Sequence, residues 1–306
     1  MIKIIKTLFN KSYRFRKKMS VVKIEMLEGY TKIPGYLTDQ ELSVLSRVSD
    51  RIVKIGLLLR KFGLGNRSYR NCTVFSGDLI LKHPLFVNVL EKLVPIAESQ
   101  LGESFQISEF KLVSSTQADN FKMWWHRDFP FQENVDKRLN DKIALAVIVP
   151  LCDFNSTVGS TYVLPNSHLK RKFPEEYRAP DFHGDGLQLE SKLGDIWVYD
   201  PRLIHSGAPN HSTKFRHIIL AQFALPVFSA REDFKFQVER MPFKSSFLQS
   251  KKMLWKTHKP DRNKFGSNRG WSHTIFRPVV RIFNILNCSF YKFLNYIKYK
   301  LFMAFI

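Results

Sequence analysis

Ile143-Ala144-Leu145-Ala146-Val147-Ile148-Val149 is a continuous apolar run, and it reads as a strand buried on both faces. Upstream lies the β-prone aromatic segment Phe121-Lys122-Met123-Trp124-Trp125, which leads straight into His126-Arg127-Asp128. Downstream come Gly159-Ser160-Thr161-Tyr162-Val163-Leu164-Pro165-Asn166-Ser167-His168, then Gly194-Asp195-Ile196-Trp197-Val198-Tyr199-Asp200, then His205-Ser206-Gly207. The last strand of the set spans residues 215–224, Phe215 to Ala224. Short strands at this spacing, cut by Gly, Pro and Asn, predict a mainly β fold with flanking helices, a double-stranded β-helix or jelly roll.

Chemistry concentrates at three positions of this text. Two imidazoles and one carboxylate, here His126, Asp128 and His205, can hold one face of Fe(II) and leave the opposite face open for O2 and a co-substrate. One residue separates His126 from Asp128, so at a strand end both side chains fall on one side while Arg127 points the other way. Arg216, eleven residues beyond His205, would anchor a dicarboxylate such as 2-oxoglutarate beside the metal. Cys72, Cys152 and Cys288 are far apart and make no thiolate site.

The triplet alone has little weight, because nine histidines and 27 acidic residues in 306 positions give roughly one His-x-Asp/Glu by chance. A second one, His183-Gly184-Asp185, sits in a Gly- and Pro-bearing stretch that reads as loop, Pro180 to Gly186. Taken alone, His126 would be a strand-end histidine bonded to Asp128, and Arg216 a strand arginine reaching for solvent. Order and spacing across the whole set change that reading.

That set resembles the phytanoyl-CoA dioxygenase family of Fe(II)- and 2-oxoglutarate-dependent oxygenases, over residues 22–226. The resemblance rests on His126-Arg127-Asp128, the Gly159-to-His168 stretch ending Leu-Pro-Asn-Ser-His, Gly194-Asp195 before an aromatic strand, and His205 followed by Arg216. The opening from Glu28 to Leu37 is similar to that family's first strand and the turn into its first helix. The resemblance implies a cupin-like jelly roll in which His126, Asp128 and His205 bind iron and Arg216 pairs with the distal carboxylate of 2-oxoglutarate. It also implies hydroxylation of a C–H bond, coupled to conversion of 2-oxoglutarate and O2 to succinate and carbon dioxide. Asp128 stands where halogenating relatives have a small residue, which favours hydroxylation. Where some relatives place a co-substrate serine two residues after the distal histidine, this chain has Gly207, with Ser206 and Thr213 as the nearby hydroxyls.

His126-Arg127-Asp128 also begins the catalytic loop of protein kinases. Here the match fails in register: the loop asparagine would fall on Glu133, the third glycine of the phosphate loop is Ser68, and Asp181-Phe182 continues with His183. Ligands to Mg²⁺ need fixed geometry, so a slip of one residue disqualifies the reading.

The net charge of +21 suggests nucleic acid or an anionic membrane until it is partitioned. Residues 1–20, a basic N-terminal extension, hold seven Lys/Arg and no acid; residues 249–306 hold twelve and the single acid Asp261. The remaining 21–248, the expected jelly-roll domain, carries only +3. A nucleic-acid enzyme would line its groove with basic charge, so nucleic acid is not an expected partner. After a basic linker, residues 249–270, the tail 271–306 reads as an amphipathic basic and aromatic helix. Its polar side carries Arg281, Asn284, Asn287, Lys292, Asn295 and Lys298, and interruption by Arg281, Lys292, Lys298 and Lys300 keeps it short of the ~20 apolar residues a spanning helix needs. Peripheral contact with a membrane and packing on the domain or on a second copy are both open for it.

Lys3 and Lys6 break the apolar run at the N-terminus and no small-residue cleavage site follows, so no signal peptide is expected, and Met19 is an alternative start. Scattered cysteines and an oxidisable ferrous site fit a reducing cytoplasm, with membrane association through the tail as an option. The expected substrate is a small molecule or lipid-linked; Trp124, Trp125, Phe129 and Phe131 around the metal pair read first as ordinary core packing and otherwise suit an apolar or ring-bearing compound. The alternative to an active oxygenase is an inactive jelly-roll binding module docking on membranes through its basic tails.

Overall fold

The apolar run becomes strand β5 in the computed structural model, which describes residues 24–61, 68–69, 72–117, 124–128, 142–170, 172–178 and 186–226. Every residue of β5 (Ala144–Pro150) is buried, because the strand lies in the middle of a seven-stranded antiparallel sheet. The spatial order of that sheet is β1 (Tyr30–Ile33), β8 (Ile196–Tyr199), β5, β10 (Arg216–Ala224), β4 (Gln106–Ser115), β3 (Cys72–Ser76) and β2 (Ser68–Tyr69). A second antiparallel sheet has β6 (Thr161–Val163) between β7 (Leu187–Gln188) and β9 (His205–Gly207). The described residues are thus mainly β, with few helices among them.

Side-chain alternation sorts the large sheet into two faces. Ala146 and Ile148 of β5, Trp197 and Tyr199 of β8 and Leu220 of β10 share one face, and they pack with Val163 of β6 and with Leu189 and Leu203 to form a core between the two sheets. Leu145, Val147 and Val149 point the other way, in register with Phe223, Ala221 and Ile219. Helix α2 (Pro84–Leu101) lies on β5 and β10. Both faces are therefore covered, and each fully buried aliphatic side chain contributes roughly 1.5–3 kcal/mol. Ser108 is an extra residue in β4, a bulge opposite Gln222 and Phe223.

The opening residues behave as their text suggests. Tyr30–Ile33 pairs with β8 and leads, through a capping box of Thr38 and Glu41, into helix α1 (Asp39–Lys61). The chain divides into two units, and among the described residues the second contributes only the part of α1 from Asp50 onward. Everything below concerns the first.

Two glycines are demanded by geometry. Gly159 has φ +75°, and a Cβ there would meet the Pro209 carbonyl oxygen at 2.1 Å; Gly29 has φ +92° and lies against the His168 ring. Asp195 accepts from the backbone N–H of Gly35 and of Lys192, so the Gly194-Asp195 pair ties the exit of β1 to the turn that starts β8. The basic extension 1–20, the linker 249–270, the tail 271–306 and the triplet His183-Gly184-Asp185 lie outside the described residues. No helix among the described residues is long and apolar enough to cross a membrane.

Candidate metal centre

Among residues 124–128 His126 alone is bridged, beside β9 and the turn before it, and Phe121, Lys122 and Met123 of the aromatic segment lie outside the described residues. His126 and His205 form an isolated antiparallel bridge, each backbone N–H donating to the other's carbonyl at 2.9 Å. Asp128 N–H donates to the Pro201 carbonyl at 2.9 Å, so two backbone anchors hold His126 and Asp128 while Arg127 turns away between them. The reversed Arg127 does not reach solvent. It is fully buried, and its Nη2 donates to the carbonyls of Ser167 (3.2 Å) and Lys170 (2.5 Å).

This explains the Leu-Pro-Asn-Ser-His stretch. Asn166 takes the left-handed conformation (φ 62°), Ser167 Oγ accepts from Ile204 N–H at 2.8 Å, and Leu164 N–H donates to the Ile204 carbonyl. The stretch therefore clamps the residue before His205, and through Arg127 it clamps the residue between His126 and Asp128. Two sequence-distant motifs are one mechanical unit. On the far side, Asp200 chelates the Arg202 side chain, with contacts of 2.6 to 3.1 Å, and shapes the turn that supplies the Pro201 carbonyl.

His126, Asp128 and His205 converge, each offering one ligand atom, with those atoms all within 4.8 Å of one another. Asp128 Oδ1 lies 3.6 Å from His205 Nε2 and 3.9 Å from His126 Nε2. An ion about 2.0–2.2 Å from each ligand spans such separations. The rings are also oriented for it. His126 Nδ1 is 2.9 Å from the Trp124 carbonyl and His205 Nδ1 is 2.9 Å from the Leu203 carbonyl, so both protons sit on Nδ1 and both Nε2 lone pairs face the centre. Nitrogen and oxygen donors without thiolate suit a ferrous ion.

Electrostatics keep His126 and Asp128 in the states a cation needs. Crowding by surrounding protein, then the neighbouring His205, pushes the His126 ring down to about 4, although its side chain keeps 36% exposure. Burial alone would raise the Asp128 carboxyl; His205, His126, Lys111 and the Tyr199 hydroxyl together bring it below the usual range. Lys111, paired with Glu109 at 2.9 Å, stands on the inner face of β4, in register with Leu220.

Arg216 is buried (5% exposed) on the same inner face, two places along β10 from Ile218 and four from Leu220. Its Nη1 donates to the Ala208 carbonyl at 3.0 Å, and burial followed by the Cys72 and Cys152 thiols sets its surroundings. No carboxylate pairs with it among the described residues. Ser206 is buried on the alternate face of β9 from His205, and Thr213 is exposed.

The aromatic cluster expected around the metal pair divides. Trp125 is core, packed with Leu164, Phe173, Tyr177 and Ile204, whereas Trp124 is 42% exposed beside His126; Phe129 and Phe131 lie outside the described residues. Tyr199 and Lys111 had no local signal. Alternating charge on a strand ordinarily marks a solvent face, and on β4 that face is turned inward.

Residues 28–218 match the family profile described as phytanoyl-CoA dioxygenase. Among solved structures, the chain is similar to AviO1 from Streptomyces viridochromogenes Tue57, at 20% identity and TM-score 0.50, over 66% of this chain and 91% of that one. It is similar to the epimerase SnoN, solved with Fe3+, alpha ketoglutarate and nogalamycin RO, at 16% identity and TM-score 0.51, over 80% and 93%. It is also similar to HygX from Streptomyces hygroscopicus, solved with nickel, 2-oxoglutarate and hygromycin B, at 14% identity and TM-score 0.50, over 66% and 85%. At these identities the likeness is one of fold.

Proposed function

This chain belongs to the phytanoyl-CoA dioxygenase family, and from that premise we propose that it is an Fe(II)- and 2-oxoglutarate-dependent dioxygenase hydroxylating a C–H bond of a small-molecule or lipid-linked substrate. We read its two sheets as the facing walls of a jelly roll, with the centre between them. His126, Asp128 and His205 hold the iron, and Arg216 holds the distal carboxylate of 2-oxoglutarate. The observation that carries this reading is the pairing of a convergent His/Asp/His set with a buried guanidinium that has no carboxylate of its own among the described residues. A buried cation costs several kcal/mol unless an anion meets it, and a dicarboxylate co-substrate is that anion.

When bound, iron supplies the coupling of 2-oxoglutarate decarboxylation to insertion of one oxygen atom of O2 into the substrate. The chain's own residues orient and hold. The Trp124 and Leu203 carbonyls keep a proton on each Nδ1, Asp128 Oδ1 faces both Nε2 atoms, and Arg216 keeps guanidinium donors beyond the one given to Ala208. Asp128 occupies the position that a halide would need, which favours hydroxylation. A substrate of small-molecule size agrees with the compounds held by the similar folds of SnoN and HygX. The test is succinate formation from 2-oxoglutarate with added Fe(II), comparing wild type with Asp128→Ala. Equal iron binding by the two proteins would reject the triad assignment.

A further inference from the structure

Tyr199 is the last residue of β8, between β1 and β5, and the backbone register puts Ala146 beside it on the inner face. Its small neighbour leaves the phenol room to reach across the core. The hydroxyl donates to Asp128 Oδ2 at 2.8 Å, and the ring meets the His205 ring edge-on, with centroids 5.2 Å apart and planes at 65°. One side chain thus touches two members of the triad, from a strand that neither occupies. The two carboxylate oxygens have different surroundings as a result: Oδ2 is taken by the phenol, while Oδ1 alone faces both Nε2 atoms.

We propose that Tyr199 is a positioning residue that restricts Asp128 to one-oxygen coordination and holds His205 against it, keeping the remaining metal positions for co-substrate and O2. The inference rests on the metal assignment above. A carboxylate free to rotate could chelate an ion through both oxygens and close one of those positions; the phenol competes for the second oxygen with a charge-assisted hydrogen bond.

The experiment is titration of the metal-free protein with Co(II), without co-substrate, in wild type, Tyr199→Phe and Asp128→Ala, following the visible absorption of the bound ion. Tyr199→Phe keeps the ring contact with His205 and removes only the hydroxyl. A changed ligand-field spectrum, as the second Asp128 oxygen reaches the ion, is expected together with a roughly 10-fold or larger change in Co(II) affinity, the range for outer partners of metal ligands. Unchanged affinity and spectrum in Tyr199→Phe, with Asp128→Ala impaired, would overturn the proposal while leaving the metal site intact. Wild type that binds no better than Asp128→Ala would instead overturn the metal site itself, and the proposal with it. A readout independent of any variant is the near-ultraviolet tyrosine absorbance of the wild type on metal addition. It shifts as Asp128 gives charge to the ion, and a metal-loaded wild type with an unmoved tyrosine spectrum would also overturn the assignment.

Discussion

His126 and His205, 79 residues apart in the chain, face each other across a single antiparallel bridge with both backbone hydrogen bonds at 2.9 Å. Bridged residues in this register place their side chains on one side, so the two imidazoles are neighbours, with ring centroids 4.3 Å apart. His205→Ala should therefore weaken metal binding by more than the roughly 10–100-fold that an outer partner costs. Calorimetric titration with Fe(II) under anaerobic conditions measures it; unaltered affinity would exclude His205 as a ligand.

Arg216→Lys keeps a positive charge but loses the planar fork that grips a carboxylate with two parallel bonds. Loss of one charge-assisted bond, about 2 kcal/mol, corresponds to roughly a 30-fold weaker hold on 2-oxoglutarate. Metal affinity in the absence of co-substrate should stay at the wild-type value. Titration of 2-oxoglutarate into the metal-loaded variant reads the first quantity, and titration of the metal into the co-substrate-free variant reads the second.

Arg127 serves stability and the site together. Arg127→Met leaves the Ser167 and Lys170 carbonyls without their guanidinium donor inside the protein, at a cost on the order of 3 kcal/mol. Urea denaturation should show that loss in the metal-free protein. Metal affinity should fall as well, because Arg127 joins the Asn166 turn to the His126–Asp128 segment.

His83 gives a pH signature away from the metal. It caps helix α2, its Nδ1 accepting from Leu85 N–H at 3.3 Å, and burial pushes its ring down from 6.5 to about 4. Between those values the unfolded chain takes up a proton that the folded protein refuses. Stability is therefore full above pH 6.5 and declines as pH falls toward 4, by on the order of 3 kcal/mol for this group. His83→Asn retains a capping acceptor without the titration, so its stability should depend less on pH across that window. Parallel slopes for the two proteins would contradict this.

Some of this was legible along the chain. The run from Ile143 to Val149 is apolar at every position, as a strand covered on both faces requires; β5 is such a strand, with the inter-sheet core on one side and α2 on the other. The donor set could also be read, since imidazole and carboxylate state their metal preference wherever they stand. Other features were hidden by the same alternation that makes strands readable. Glu109 and Lys111 alternate along β4 as a solvent face would, and they stand on its inner face; Trp125 is core, the first of the two readings its aromatic neighbourhood offered.

Residue type and order alone determined the chemistry available: which side chains can hold a ferrous ion, which cation can meet a dicarboxylate, and where a buried strand must run. Tertiary structure alone decided who stands beside whom. The His126–His205 bridge, the Arg127 clamp on the Asn166 turn and the reach of Tyr199 to Asp128 Oδ2 all join segments from different strands and turns. The physical reason is range: strand propensity and donor chemistry are properties of a residue and its near neighbours. Orientation at a metal centre depends instead on backbone hydrogen bonds between segments that meet only after the sheets have packed.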